Sequence, residues 1–337
     1  MRDRLLKYLA CPVCGGDLFL RADQRDGDHV MTGALSCVEC GAAYAIRGGV
    51  PRFAHDVEDI ETLTAAAFGY EWNRFNELAD RYRQQFLDWI HPVEASFFEG
   101  KAVLEGGCGK GRHTTLAAEF GARDVVSIDL GNAVDAAFAN TCHLPNAHIV
   151  QADLKKPPVK RAFDYAFSIG VLHHTTDPEA GFRALVSKLV ANGAISAWVY
   201  GRENNGWIVH IITPIRTTVT SRLPHGLLDA ISAVLTVPVF LASRFVYAPF
   251  GGKLFGMKLP YGPYLSYIGP FPFREQHSIV LDHLVTPIAF YLRRDEFAAW
   301  FERAGLEGVH IEHHNANSWR GFARVPAMMS AATPATV

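Results

Sequence analysis

Apolar and polar positions change period several times along the 337 residues. Residues 1–54 hold two Cys-x-x-Cys segments, each followed by glycine, the pattern of two tight hairpin turns. Residues 55–98 follow helical spacing and are dense in aromatics, as in AAAFGYEWNRFNELADRYRQQFLDWI. From 99 to 200, strand-length apolar runs (VLEG, VVSID, AHIVQAD, FDYAFSIG, AISAWVY) alternate with helical stretches. That alternation predicts an α/β domain with a parallel sheet and right-handed crossovers. Pro178 opens one helix, and Asn192-Gly193 is read as its end. Residues 201–284 form an insertion rich in Ile, Leu, Val, Phe, Tyr and Pro. A helix and strand at 285–325 return to the sheet, and 326–337 reads as a frayed tail.

The first core run closes on Glu105 and gives way to glycines 106, 107, 109 and 111, and the second closes on Asp129. Such a turn lets backbone approach a ligand, and the following helix offers it free N–H groups. A dinucleotide fingerprint needs glycine where Arg112 stands, and a P-loop needs Gly-Lys-Ser/Thr where Lys110 precedes Gly111. Neither pyrophosphate cradle fits. A plain glycine-rich turn is the bland alternative, and the acids and glycines repeated at strand ends weigh against it.

The pattern Glu-x-Gly-x-Gly-x-Gly instead resembles motif I of the class I S-adenosylmethionine (SAM) methyltransferases, whose cofactor has an amino-acid tail and no phosphate. The resemblance implies a Rossmann-like sheet with helices on both faces. It also implies a SAM site drawn from Glu105, Gly107, Cys108, Gly109, Gly111, Asp129, Leu130, Asp153, Leu154 and Ser168. Asp129 would chelate the ribose hydroxyls, Asp153 would accept from the adenine amino group, and the Leu154 N–H would bond a ring nitrogen. Tyr70-Glu71-Trp72 looks like a stretch that often caps this pocket, which nominates Trp72. His173 and His174 resemble a Leu-x-His ending near the methyl group. A general base is needed only for a protonated acceptor, and histidine titrates in the right range; a structural loop histidine is the alternative. His113 is read as packing, and Arg320 as an anion contact or a surface salt bridge.

Cys11-Pro-Val-Cys14 and Cys37-Val-Glu-Cys40 are paired knuckles. Four thiolates on two turns suit structural Zn²⁺ better than redox chemistry. The segment resembles the small zinc domain of the tRNA-methyltransferase activator family through Tyr44, Ile46, Gly49 and Pro51. Cys108 and Cys142 support only structural readings.

A formal charge of −2 argues against a general nucleic-acid binder. The apolar part of MRDRLLKYLACP is too short for a secretory signal, so a cytoplasmic protein is expected. The longest uncharged run of the insertion, Ala230 to Ser243, has fourteen residues and includes Pro238. A span needs about twenty, which leaves a lid, a structural subdomain, or membrane-surface contact through 227–260. The leading expectation is SAM-dependent methylation of a small or lipid-linked apolar acceptor, with nucleic acid set aside. An rRNA or tRNA methyltransferase that uses the ribbon to hold RNA, and a non-catalytic SAM-binding scaffold for a protein partner, stay open. Oligomeric state is not legible.

Overall fold

The computed structural model describes residues 1–53, 59–75, 81–251, 253–254 and 257–327. Residues 328–337 of the expected tail, residue 54 at the end of the expected ribbon, and residues 55–58 and 76–80 of the expected capping segment lie outside the described residues. The N-terminal unit is an antiparallel sheet of β1 (Leu18–Asp26), β2 (His29–Cys37), β3 (Ala43–Arg47) and β4 (Val50–Pro51), in that order. Helices α1 (Asp59–Arg74) and α2 (Tyr82–Trp89) lead into the core. The core runs β5 (Ala102–Gly106), α3 (Arg112–Glu119), β6 (Asp124–Asp129), α4 (Ala133–Thr141), β7 (Ala147–Gln151), β8 (Phe163–Ile169), α5 (Pro178–Val186) and β9 (Leu189–Tyr200).

The insertion folds as α6 (Thr213–Thr218), α7 (His225–Ala242), α8 (Ala248–Phe250), a small hairpin of β10 (Lys253–Leu254) and β11 (Met257–Lys258), α9 (Gly262–Ile268) and α10 (Phe273–Val285). The chain then returns through α11 (Arg294–Arg303), β12 (Glu307–His314) and β13 (Ser318–Arg324).

The main sheet has seven strands in the order β12-β13-β9-β8-β5-β6-β7. Strands β5 to β9 pair in parallel, while β13 is antiparallel to both β9 and β12. Strand order reverses between β5 and β8, and the crevice outside their C-terminal ends is where such a sheet binds ligands. Alternate residues serve opposite faces. Leu104, Val126 and Ala166 pack with Phe182 of α5 and Phe297 of α11, whereas Val103, Val125 and Tyr165 pack with Phe86 of α2 and Leu116 of α3.

Two sequence expectations change here. Asn192-Gly193 does not end a helix: α5 stops at Val186, and β9 starts at Leu189. Leu189 pairs with Phe163 and Ala194 with Tyr165, so the extra residues bulge, with Asn192 at φ +61°. The uncharged-run count also understates the insertion's long helix. Backbone turns continue α7 through Arg244 into α8, so 26 residues, His225–Phe250, are long and apolar enough to cross a membrane by length and composition, with 22% of the most apolar window buried.

The N-terminal unit is joined to the sheet edge rather than tethered. Phe53 N–H donates to the Gln151 carbonyl at 2.7 Å, Ala10 N–H to Pro158 at 2.9 Å and Lys160 N–H to Tyr8 at 2.8 Å. Beneath them the fully buried Asp124 carboxylate accepts from Tyr8 Oη (2.6 Å) and Lys7 Nζ (2.7 Å), and it pairs with Arg4 (2.6 Å).

Candidate functional site

The turn after β5 is held first by backbone. Gly107 and Cys108 donate N–H to the Ile128 carbonyl at 2.7 and 3.1 Å. Gly107 has φ +82°, and a Cβ there would stand 2.2 Å from Val171 Cγ2. Gly109 has φ +51°, and a Cβ there would stand 3.0 Å from the Trp72 indole nitrogen. Both positions demand glycine on conformation and on space. Asp129 closes the turn from the end of β6: Oδ2 accepts from Gly109 N–H at 2.8 Å and Oδ1 from Gly131 N–H at 2.9 Å. Burial raises its carboxyl above the usual range against those hydrogen bonds.

A cavity of about 750 Å³ opens over the strand ends. Trp72, Gly107, Cys108, Gly109, Asp129, Leu130, Asp153, Leu154 and His174 all line it. Four other nominated residues do not. Glu105 lies beneath the turn, accepting from Thr114 Oγ1 (2.5 Å) and Ser127 Oγ (2.8 Å), and burial pushes its carboxyl up to about 7. Ser168 Oγ donates to the Gly106 carbonyl at 2.8 Å, so it braces the same turn from behind. Gly111 starts α3 against Ala137 of α4. His173 is fully buried behind Tyr200, with ring centroids 4.0 Å apart and neither ring nitrogen hydrogen-bonded. Burial keeps it neutral. These residues shape the wall, since a strand's alternate side chains face the helices rather than the crevice.

His174 is placed differently. Its Nδ1 lies 2.6 Å from the Ile288 carbonyl, so Nδ1 carries the proton and Nε2 carries the lone pair. Burial lowers its pKa as well. Cys108 is kept a protonated thiol by burial, which excludes it as a nucleophile. Arg112, at the mouth of α3, stands over the rings of Trp72, Tyr82 and Trp89 at 5.1–5.6 Å. Arg320 takes the salt-bridge role, paired with Glu312 and Asp88 at 2.6 and 2.9 Å.

The far end of the cavity was not legible in the sequence. Tyr200, at the end of β9, donates to Asp282 Oδ2 at 2.6 Å. Among the described residues, Asp282 Oδ1, His283 Nδ1, Tyr291 Oη and Glu71 Oε2 are buried and have no hydrogen-bond partner. Burial, then the nearby Asp282, raises the Glu71 carboxyl well above its usual range. Three of these four residues come from α10 and the segment after it, where the insertion folds back over the sheet. Glu71 had a sequence signal in its place beside Trp72, and His283 is one of three weaker histidine candidates in or beside the insertion, with His210 and His277.

Cys11, Cys14, Cys37 and Cys40 bring their sulfurs within 4.8 Å of one another, all as free cysteines. Cys11–Cys40 and Cys14–Cys37 are 3.7 and 3.4 Å apart. Four thiolates around zinc at about 2.3 Å stand about 3.8 Å apart, so the donor set fits that ion.

Comparison with known proteins agrees with this geometry. The methyltransferase-domain family matches residues 104–197, and the Trm112p-like protein family matches residues 2–49. A tRNA U34 carboxymethyltransferase of Pseudoalteromonas translucida is 32% identical over 142 residues, 41% of this chain and 39% of its own length. An uncharacterized Synechococcus sp. protein is 30% identical over 125 residues, 33% of this chain and 30% of its own length. A SAM-dependent methyltransferase structure from Aquifex aeolicus aligns at 13% identity with a TM-score of 0.43, over 76% of this chain and 98% of that one.

These relatives correct the expected partners. The expectation that sets nucleic acid aside does not agree with relatives named tRNA U34 carboxymethyltransferase. Net charge is a sum over the whole chain, whereas nucleic-acid contact depends on how charge is distributed, so the total of −2 is no ground for excluding it. The chain therefore joins an N-terminal domain of the Trm112p-like family to a domain of the methyltransferase family.

Proposed function

We propose that the chain is a SAM-dependent enzyme that transfers a methyl group to RNA. One observation carries the donor assignment: Asp129 and the glycine turn converge on a roofed cavity of about 750 Å³ at the switch point. That volume lies within the range of about 300–1,000 Å³ usual for ligand pockets. The tRNA-modifying relatives and the Trm112p-like domain support an RNA acceptor. The chain covers less than two fifths of the length of those two relatives.

A sulfonium donor brings an already activated methyl group, so the protein's task is to align the acceptor and exclude water. Asp129 would hold the ribose, and Asp153 with Leu154 the adenine. Trp72 and Arg112 would border the amino-acid tail. The insertion's Tyr264, Tyr267 and α10 close the cavity over an extruded base, for which stacking on aromatic rings is the usual device. His174 Nε2 is available to take a proton from a protonated acceptor, and the Tyr200–Asp282 pair lies beside it. The four cysteines would bind zinc and fix the ribbon.

The test is incubation of the chain with methyl-labelled SAM and unfractionated bacterial tRNA, followed by nucleoside mass spectrometry. Label in one nucleoside is expected, at the mass of a methyl adduct, the group this donor supplies. Bound SAM with unlabelled RNA would refute the RNA acceptor.

A further inference from the structure

The seam between the ribbon and the core holds a second hollow, a groove of about 520 Å³. One wall is the first cysteine knuckle, including Cys11 and Pro12. The floor is the loop after Leu154, and the opposite wall is the end of α5. Lys155, Lys156, Arg183 and Lys188 line the groove, and no carboxylate does. Lys155 is engaged by Glu61 at 2.9 Å, and Arg183 stands 3.9 Å from Glu179. Lys156 is exposed, and Lys188 is half-buried; neither ammonium has an ion pair among the described residues. Burying an unpaired ammonium costs free energy, and the pKa of Lys188 is lowered by that burial. Two of the groove's four cations are thus left without an ion pair among the described residues, in a chain whose total charge is −2.

We infer that this groove binds the phosphate backbone of an RNA substrate, an inference that rests on the RNA reading above. Charge complementarity is the first argument: a cation row with no acid among its lining residues suits a polyanion, and a half-enclosed groove focuses that field. Shape is the second. Apart from the cations, the described lining is mostly alanine, glycine, proline and valine, small side chains that leave room for a backbone. Continuity is the third. Asp153 and Leu154, immediately before Lys155, line the large cavity, so the loop that floors the groove also enters the candidate active site. The ribbon then has a direct role, as one wall of the RNA track.

The experiment measures binding of fluorescently labelled, unfractionated bacterial tRNA to the full chain by anisotropy, across a KCl series. Wild type is compared with Lys156→Glu/Lys188→Glu, with the milder Lys156→Gln/Lys188→Met, and with a control of equal charge change, Arg21→Glu/Arg222→Glu. Both groove doubles are expected to weaken binding, the charge reversal by about tenfold or more. The slope of log Kd against log [KCl] should fall by about 1.5, since each phosphate contact contributes roughly 0.7–0.9. SAM affinity, titrated in parallel, should stay within about twofold of wild type, because neither lysine lines the donor cavity. An equal loss in the control double would show diffuse attraction and overturn the groove. Wild-type binding with unaffected groove doubles would overturn the groove and leave the RNA reading standing. Absence of tRNA binding by wild type at low salt would overturn both.

Discussion

Replacing Gly107 by alanine tests the donor site at its tightest point. The new Cβ would meet Val171 Cγ2 at 2.2 Å and Cγ1 at 2.5 Å, on a backbone held at φ +82°. A left-handed conformation costs a non-glycine residue about 1–2 kcal/mol, and overpacking a closed site typically costs about 1–3 kcal/mol. The turn is therefore penalised by about 2–5 kcal/mol in the shape it has here. The turn is local, and its cheapest escape is to open, which moves the Gly107 and Gly109 N–H groups away from Ile128 and Asp129. If the donor needs the closed turn, that penalty appears in its affinity as a loss of roughly 30-fold to several thousand-fold, at tenfold per 1.4 kcal/mol. Val171→Ala in the same chain removes both clashing methyls but leaves its own Cβ at 2.7 Å and the φ penalty. The double variant should therefore recover only part of the roughly 1–3 kcal/mol of overpacking and remain weaker than Val171→Ala alone. Calorimetric SAM titration of the four proteins of this cycle, with urea unfolding run beside it, measures both quantities. Gly107→Ala binding SAM within threefold of wild type, or no recovery in the double, would refute the assignment of this turn.

Other perturbations separate the remaining roles. Asp129→Ala should abolish SAM binding with the fold retained, and retained affinity in the same titration would show the motif assignment to be wrong. Cys37→Ser should release zinc from purified protein, measured by plasma emission, and loosen the ribbon without emptying the donor cavity; unchanged metal content would sink the zinc site. His174→Gln should lower kcat on tRNA more at neutral pH than at high pH, with SAM affinity intact, whereas a uniform drop would make His174 structural. For Asp124, burial would raise the carboxyl, but hydrogen bonds from His148, Lys7, Tyr8 and Arg4 outweigh it and hold it far below the usual range. A depressed folded-state value stabilises above the unfolded value of about 3.9 and loses that stability as pH falls below it. Asp124→Asn should therefore cost roughly 3 kcal/mol at pH 7 and flatten the acid limb of urea unfolding; an unchanged acid limb would refute the hub.

What the sequence made legible is what local rules control. Alternation of strand and helix periods located all five parallel strands, because each is buried on both faces and flanked by amphipathic helices. The glycine turn was readable since glycines 107 and 109 are required by backbone conformation, a constraint expressed in sequence order. Glu105 and Ser168 were nominated with the site but lie behind its wall, because spacing along a strand does not say which face a residue serves near the strand's end; His173 lies in the helical turn after β8, where the next residue, His174, takes the cavity side. The acceptor end was illegible for a different reason. Asp282, His283 and Tyr291 reach the cavity only through the fold-back of α7 to α10, an arrangement set by packing between helices with no motif to announce it. Net charge misled in the same way: Lys156 and Lys188 are far apart in sequence and share a groove only once the ribbon docks.

That docking makes the ribbon part of the methyltransferase fold. Leu5, Leu9, Leu35 and Tyr44 of the ribbon share one buried cluster with Val150, Val159 and Phe163 of the core. Phe53 extends the hydrogen bonding of β7 at Gln151, and Asp124 gathers side chains from both sides. An edge strand left bare would expose its backbone and the apolar face beside it. The ribbon covers that edge, and the same contacts fix the loop from Ala152 to Lys160, which carries Asp153 towards the donor and Lys156 towards the groove. A separate ribbon would have to dock before either end of that loop was in place. Fusion makes the docking intramolecular, so donor pocket and RNA track are assembled together whenever the chain is folded.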